Sequence, residues 1–226
     1  MYEALSEAFS LIVGGDRELV AIAGNSITFS LISTSLAAVL AIPVGTTLAL
    51  RDFPGKGVTV SVLNTLMALP TVVIGLFAYS LLSRSGPFGG LGLLFTPGAI
   101  VFGQAILAFP IITALVYGGL DRLEDELRET LLTFGVGPLA STLKIVSEAR
   151  IAILSAVVSG FGRVIGEVGV SMMLGGNIRW YTRTMTTAIS LETQRGAFSL
   201  GLALGLILMV VAFGVNGILN WMVRRG

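Results

Sequence analysis

Five apolar stretches, at about residues 19–50, 58–83, 97–120, 147–175 and 199–222, occupy most of this 226-residue chain. Crossing a bilayer core takes ~20 apolar residues, and every stretch is long enough. Only 12% of the residues are charged. Soluble domains average roughly 25%, so this chain cannot cover a water-facing surface with polar groups. Lipid suits that composition. It offers a bare backbone no hydrogen bonds, so the stretches are predicted to be helices of an all-α integral membrane protein. The first stretch is longer than a bilayer requires and should tilt or project.

Absences narrow the chemistry. The chain has no cysteine and no histidine, which removes disulfides, thiol catalysis and the commonest zinc sites. No phosphate loop of the form G-x-x-x-x-G-K-[ST], no Ser/His/Asp set and no dinucleotide fingerprint occurs. The chain is therefore read as a non-enzyme with no metal or cofactor of its own, and any ATP that drives it is hydrolysed elsewhere. A net charge of +1 gives no reason to expect nucleic acid. Residues 1–18 carry acidic groups where a secretory signal carries basic ones, and read as a retained N-terminal segment.

The linkers differ in character. Arg51–Gly57 reads as a tight turn, and Gly-rich Arg84–Thr96 as a hairpin packed on the protein. The third linker, about 121–146, holds the highest charge density in the chain. Within it Leu123, Leu127, Thr130, Leu131 and Phe134 recur at helical spacing, predicting an amphipathic helix before the Gly137-Pro138 turn. A solvated connector and a docking helix both fit that pattern. With five crossings the termini lie on opposite sides. Arg51, Lys56, Arg122, Arg128, Lys144, Arg150, Arg224 and Arg225 then share one side, against Arg17, Arg84, Arg179, Arg183 and Arg195 on the other. Basic residues favour the cytoplasm, which places the third linker and the C-terminus inside and the N-terminus outside.

Arg163 and Glu167 interrupt the fourth stretch. Each mid-membrane charge costs ~2.5–3.5 kcal/mol and each Leu, Ile, Phe or Val returns only ~0.3–0.6 kcal/mol, so neither can face lipid cheaply. Four residues apart, they can partner each other. Beside them runs a seam of small residues, Ala152, Ser155, Ser159, Gly162, Gly166 and Gly169, comparable to Ser26, Ser30, Ser33, Ala37 and Ala41 in the first stretch. Such seams let backbones approach closely in membranes. A central helix bordering a pathway and a purely structural ion pair both remain open, the ion pair being sufficient for the charges. Pro70 and Pro110 should kink the second and third stretches. Asn64, Thr65 and Thr71 near Pro70 suggest a pathway face, and Asn216 with Asn220 suggest bonds between helices.

Glu129-Thr130-Leu131, Gly135 and Ile145 fall at the spacing of the cytoplasmic E-A-A…G…I-x-L-P motif of type I ABC-importer permeases. Thr130 and Leu131 replace its two alanines, and Ser147 and Glu148 its Leu-Pro. Asn64–Leu76 and Phe95–Val116 resemble the second and third core helices of the molybdate/tungstate group, and Gly162–Ile178 is similar to that group's G-E-x-G…G-N-I signature. Tyr181–Thr193 resembles its tungstate branch. The resemblance covers about Asn25 to Trp221. It implies a five-helix transmembrane core over residues 19–226 in a prokaryotic cell membrane. It also implies a second copy of the chain, two cytoplasmic ATPases that bind ATP and Mg, and an extracytoplasmic binding protein delivering an oxyanion, tungstate first, with molybdate, sulfate or a stand-alone carrier as alternatives. Leu127, Glu129, Thr130, Leu131, Phe134, Gly135 and Ile145 would then couple to the ATPase. Asn64, Pro70, Thr71, Gly162, Arg163, Gly166 and Glu167 would border the pathway or pack the central helix.

Overall fold

The computed structural model describes the backbone of residues 2–133 and 137–225; side chains at 2–3, 122–133, 138–139, 219–220, 222 and 224–225 lie outside the description. Ten α-helices and one short 3-10 turn, Gly89–Leu91, make up the described fold, with no strand among the described residues.

Helix α1, Tyr2–Val13, was not foreseen from the sequence. It buries Ala8 and leaves Leu5, Phe9 and Val13 exposed. Those three recur every four residues and so share one face of the helix. Helix α2, Arg17–Leu50, starts where the Asp16 carboxylate accepts the Glu18 and Leu19 N–H groups, both at 3.0 Å. Its 34 residues reach about 51 Å at ~1.5 Å per residue, well beyond a ~30 Å hydrocarbon core.

The second apolar stretch is not one kinked helix. It divides into α3, Lys56–Met67, and α4, Thr71–Leu82, whose axes meet at 99°. Pro70 has no N–H to continue the ladder, and its ring drives Leu69 out of helical geometry. After α4 the chain folds back onto the protein as the composition suggested. Phe95 donates its N–H to the Leu174 carbonyl at 2.8 Å, and its ring meets Tyr79 edge-on at 6.5 Å.

Helix α5, Pro97–Thr133, is unbroken through Pro110 and carries the charged linker as a direct extension of the third apolar stretch. Helix α6, Pro138–Glu148, begins with its proline in the first turn, where no N–H is needed. It meets α7, Arg150–Ile165, at 58°. The fourth stretch breaks again after Ile165, and α8, Gly169–Gly175, follows. Helix α9, Met185–Gln194, lies within a linker, and α10, Phe198–Arg225, carries the last stretch. Helices α2, α5 and α10 are each long and apolar enough to cross a membrane, and counting the α3–α4 and α6–α7 pairs as one crossing each gives five.

In the apolar window of α5, 61% of residues are buried, against 17% in α10, so α5 is central and α10 peripheral. Helices α2 and α5 form the spine. A methyl at Gly45 would come within 2.8 Å of the Thr113 carbonyl, so the two backbones nearly touch. Between α5 and α7 a Cβ on Gly160 would lie 2.7 Å from the Ile112 side chain, so that side chain rests on the α7 backbone. Small residues give this close packing where lipid supplies no hydrophobic drive. Among the described residues Asn216 bridges no helices: its amide returns to the Ala212 carbonyl of its own helix at 3.2 Å, and the Asn220 side chain lies outside the described residues.

Candidate functional site

Two helix breaks meet inside the bundle. At the first, Ala68 ends α3 and Pro70 opens α4, with no side chain capping either end. At the second, Gly166 ends α7, and the Glu167 side chain turns onto the start of α8. Glu167 Oε1 accepts the N–H groups of Gly169 at 2.8 Å and Val170 at 3.3 Å. Its Oε2 accepts from Arg163 Nη1 at 2.9 Å. From α9, the Thr186 hydroxyl donates to the Glu167 carbonyl at 2.8 Å. The breaks touch at Gly169, where an added Cβ would lie 3.3 Å from each of Glu167 Oε1, Thr71 Oγ1 and Val72 Cγ2.

The pair of charges is asymmetric. The Glu167 side chain is 4% exposed and that of Arg163 is 43% exposed. The carboxylate is buried and fully bonded, while the guanidinium lies over it on an open face. Ser159, Gly162 and Gly166 share that face at helical spacing and are exposed with it, Ser155 partly so. The small-residue seam is thus uncovered by the described chain except at its two ends, where Ala152 packs on Gly119 of α5 and Gly169 meets Thr71 and Val72 of α4. On the other break, Asn64, Thr65 and Pro70 are exposed and Thr71 is half-buried.

Sequence reasoning missed a buried polar bridge. Ser33 of α2 donates to Gln104 Oε1 of α5 at 3.1 Å, and Gln104 Nε2 donates to Ser171 of α8 at 3.2 Å. All three are buried. Bonded to each other, they remove the cost that unpaired amide and hydroxyl groups carry in an apolar interior. A lone glutamine in an apolar stretch was the available signal.

Beyond α8 the chain forms a polar knot that fixes the second break from one end of the bundle. Thr182 donates to the Gly175 carbonyl at 2.5 Å and accepts the Ile178 N–H at 2.9 Å. Thr184 and Thr187 form a reciprocal cap on α9, and Thr187 also donates to Asn177 at 3.0 Å. Arg183, buried, pairs with Glu18 at 3.1 Å and stands 3.8 Å from Glu192. Arg179 also binds Glu18, which raises the Arg179 guanidinium further above its ordinary value through that hydrogen bond.

At the opposite end, Ile145 of α6 is 3% exposed and lies in the buried cluster that also holds Val116, Leu120, Ala49 and Ala149. It anchors α6 in the chain's own core. Leu127, Glu129, Thr130 and Leu131 lie on the helical backbone of α5, but their side chains are outside the described residues, as are Phe134 and Gly135 entirely. Lys144 and Glu148 pair across one turn of α6 at 2.8 Å.

The sequence profile described as "Binding-protein-dependent transport system inner membrane component" matches residues 41–225. The tungstate uptake system permease protein TupB of Campylobacter jejuni is 37% identical, over 99% of this chain and 94% of that protein. TupB of Peptoclostridium acidaminophilum is 35% identical, over 96% and 95%. The molybdenum transport system permease protein ModB of Azotobacter vinelandii is 28% identical over 78% of this chain and 83% of its own. Among solved structures, a chain of the MetNI methionine ABC transporter in inward-facing conformations superimposes with a TM-score of 0.72 at 17% identity, over 92% and 95% of the two chains.

Proposed function

The chain belongs to the family of binding-protein-dependent transport system inner membrane components, as an ABC-importer permease subunit, and from that premise we propose that it carries a tetrahedral oxyanion, tungstate first. The observation behind the cargo is the 37% identity to a tungstate uptake permease along 99% of the chain, where the molybdenum permease reaches 28% over 78%.

In this reading two copies of the chain join two cytoplasmic ATPases, which bind and hydrolyse ATP, and an extracytoplasmic binding protein. The N-terminus lies outside and the C-terminus inside, in line with the distribution of basic residues. The segment of about 121–146 meets the ATPase. Support comes from its mounting: α5 runs unbroken into it, and α6 leaves it with Ile145 and Ala149 in the same buried cluster as Val116 and Leu120 of α5. A push on the segment is therefore carried into α5 and α7, because packed helices move as bodies rather than deform. The oxyanion path borders the open face of α7 and the two helix breaks. Irregular backbone and a half-exposed arginine are tolerated at membrane depth only against protein or water.

Reconstituted vesicles holding the permease, its ATPase and the binding protein test both parts. Tungstate uptake should resist excess sulfate and exceed molybdate uptake at equal concentration; equal competition by the three anions overturns the cargo. Glu129→Arg and Gly135→Leu should each leave ATP hydrolysis running while uptake falls by more than tenfold, and intact coupled uptake in both removes the docking segment from the reading.

A further inference from the structure

Arg163 carries more hydrogen-bonding capacity than its ion pair uses. A guanidinium has five N–H donors in a rigid fork. Among the described residues one of them, Nη1, is engaged, with Glu167 Oε2. The partner carboxylate does not present itself to the same space. It is 4% exposed, and its other oxygen is taken by the Gly169 and Val170 N–H groups. The Gly169 and Val170 N–H groups at the start of α8 are thereby already taken. What the open face offers is the outer edge of a guanidinium, flanked by Ser159, Gly162 and Gly166, which add no bulk and no negative charge.

We infer that Arg163 is a transient contact for the passing oxyanion, its free N–H groups facing the space beside Gly162 and Gly166. The inference rests on the proposed reading that this face borders the transport path. Charge-assisted N–H donors in a planar fork match two oxygens of a tetrahedral anion. The buried carboxylate serves two ends at once. It holds the fork in one orientation, and it weakens the site's net positive charge, so that an anion is attracted without being retained. Conduction needs that balance between entry and release. A purely structural pair would instead leave oxyanion uptake unchanged when the fork is replaced by a point charge.

The native chain has no cysteine, so a single introduced thiol reports on one place alone. A Cβ at Gly162 meets nothing within 4 Å, and one at Gly166 meets only the Gly162 carbonyl at 3.9 Å, so both positions accept cysteine without displacing a neighbour. Gly162→Cys and Gly166→Cys complexes, assembled with ATPase and binding protein, are to be labelled with membrane-impermeant anionic and cationic methanethiosulfonates of similar size. Rates are normalised to those of a free thiol. With Arg163 present the anionic reagent should be favoured by about tenfold, because a fixed positive charge raises the local concentration of anions. In the Arg163→Gln/Glu167→Gln background the preference should vanish, while both side chains can still hydrogen-bond to each other. Arg163→Lys should retain the preference but lower oxyanion uptake, since the point charge remains and the fork is lost. An unchanged reagent ratio in the double variant overturns the inference, as does the absence of labelling in every stage of the ATP cycle. The labelling assay does not use the cargo. Failed tungstate uptake with a preserved reagent preference would therefore sink the cargo proposal alone, and normal uptake with a flat ratio would sink the Arg163 contact alone.

Discussion

The two interrupted crossings are broken by different means. The α3–α4 break follows from one covalent fact, the missing N–H and fixed ring of Pro70, and no side chain caps either helix end there. The α7–α8 break depends on side-chain partners, three of them near in sequence and one remote: the Glu167 carboxylate on the Gly169 and Val170 N–H groups, Arg163 on that carboxylate, and the Thr186 hydroxyl on the Glu167 carbonyl. Changing the angle at the first break sacrifices no side-chain hydrogen bond. At the second, it breaks several in a buried setting, where each unpaired group is costly. The two meet at Gly169, so a compliant joint rests against a braced one. A protein that switches access between two sides of a membrane needs both a part that bends and a part that keeps its shape.

Removing the brace should have the largest effect. Glu167→Ala orphans two backbone N–H groups and leaves Arg163 without its partner. Breaking a buried ion pair costs ~3–5 kcal/mol; Arg163 is half-exposed and can rehydrate, so a loss of about 3 kcal/mol is expected. Thermal unfolding of the purified complex measures it. Glu167→Gln should recover about half, because its amide oxygen can still accept from Gly169 and Val170. A loss below about 1 kcal/mol for the alanine variant would show that the second break is held by packing, and the contrast with the first would fail.

Thr186→Val tests the same brace from α9. The valine fills nearly the same volume but leaves the buried Glu167 carbonyl without its hydroxyl donor. A cost of about 1–2 kcal/mol is expected, read by the same unfolding measurement. Hydrogen exchange should show faster opening of the Gly169 and Val170 amides in this variant, with α3 and α4 unchanged. Faster exchange in both pairs would mean that the breaks move together and are not separable.

The contrast also explains what could be read in advance. Hydropathy located the long crossings because a ~20-residue apolar run is a local property. Pro70 marked the first break because proline acts through its own ring and its immediate neighbour. The second break was hidden: Gly162, Gly166 and Gly169 continue a helical seam on paper, and Arg163 with Glu167 look like a pair on one continuous helix face. The pair does form, yet Glu167 lies past the end of α7 and caps α8, an outcome decided by Thr186 and the polar knot from Gly175 to Glu192. Ile145, singled out by its spacing, also has a place the spacing did not show: its side chain is buried in the cluster that holds Val116 and Leu120 of its own chain. Helix α1 escaped notice because twelve residues with one apolar face are too short for a crossing.

The smallest effect is expected at the first break, and it is the sharpest check on the comparison. Pro70→Ala frees the unfolded chain and restores an N–H that can find water or a carbonyl at an exposed position. Removing a proline from a compatible site costs ~0.4–1 kcal/mol through the unfolded state, so the unfolding free energy should fall by no more than about 1 kcal/mol. The difference should appear in dynamics instead. With alanine at this position residues 68–71 can sample helical geometry, and the amides of Ala68, Leu69 and Thr71 should exchange more slowly than in the native chain as α3 and α4 straighten part of the time. The Gly169 and Val170 amides, capped by Glu167, should be unaffected. If Pro70→Ala destabilises the protein as much as Glu167→Ala, the 99° angle is imposed by tertiary contacts and the first break is braced like the second.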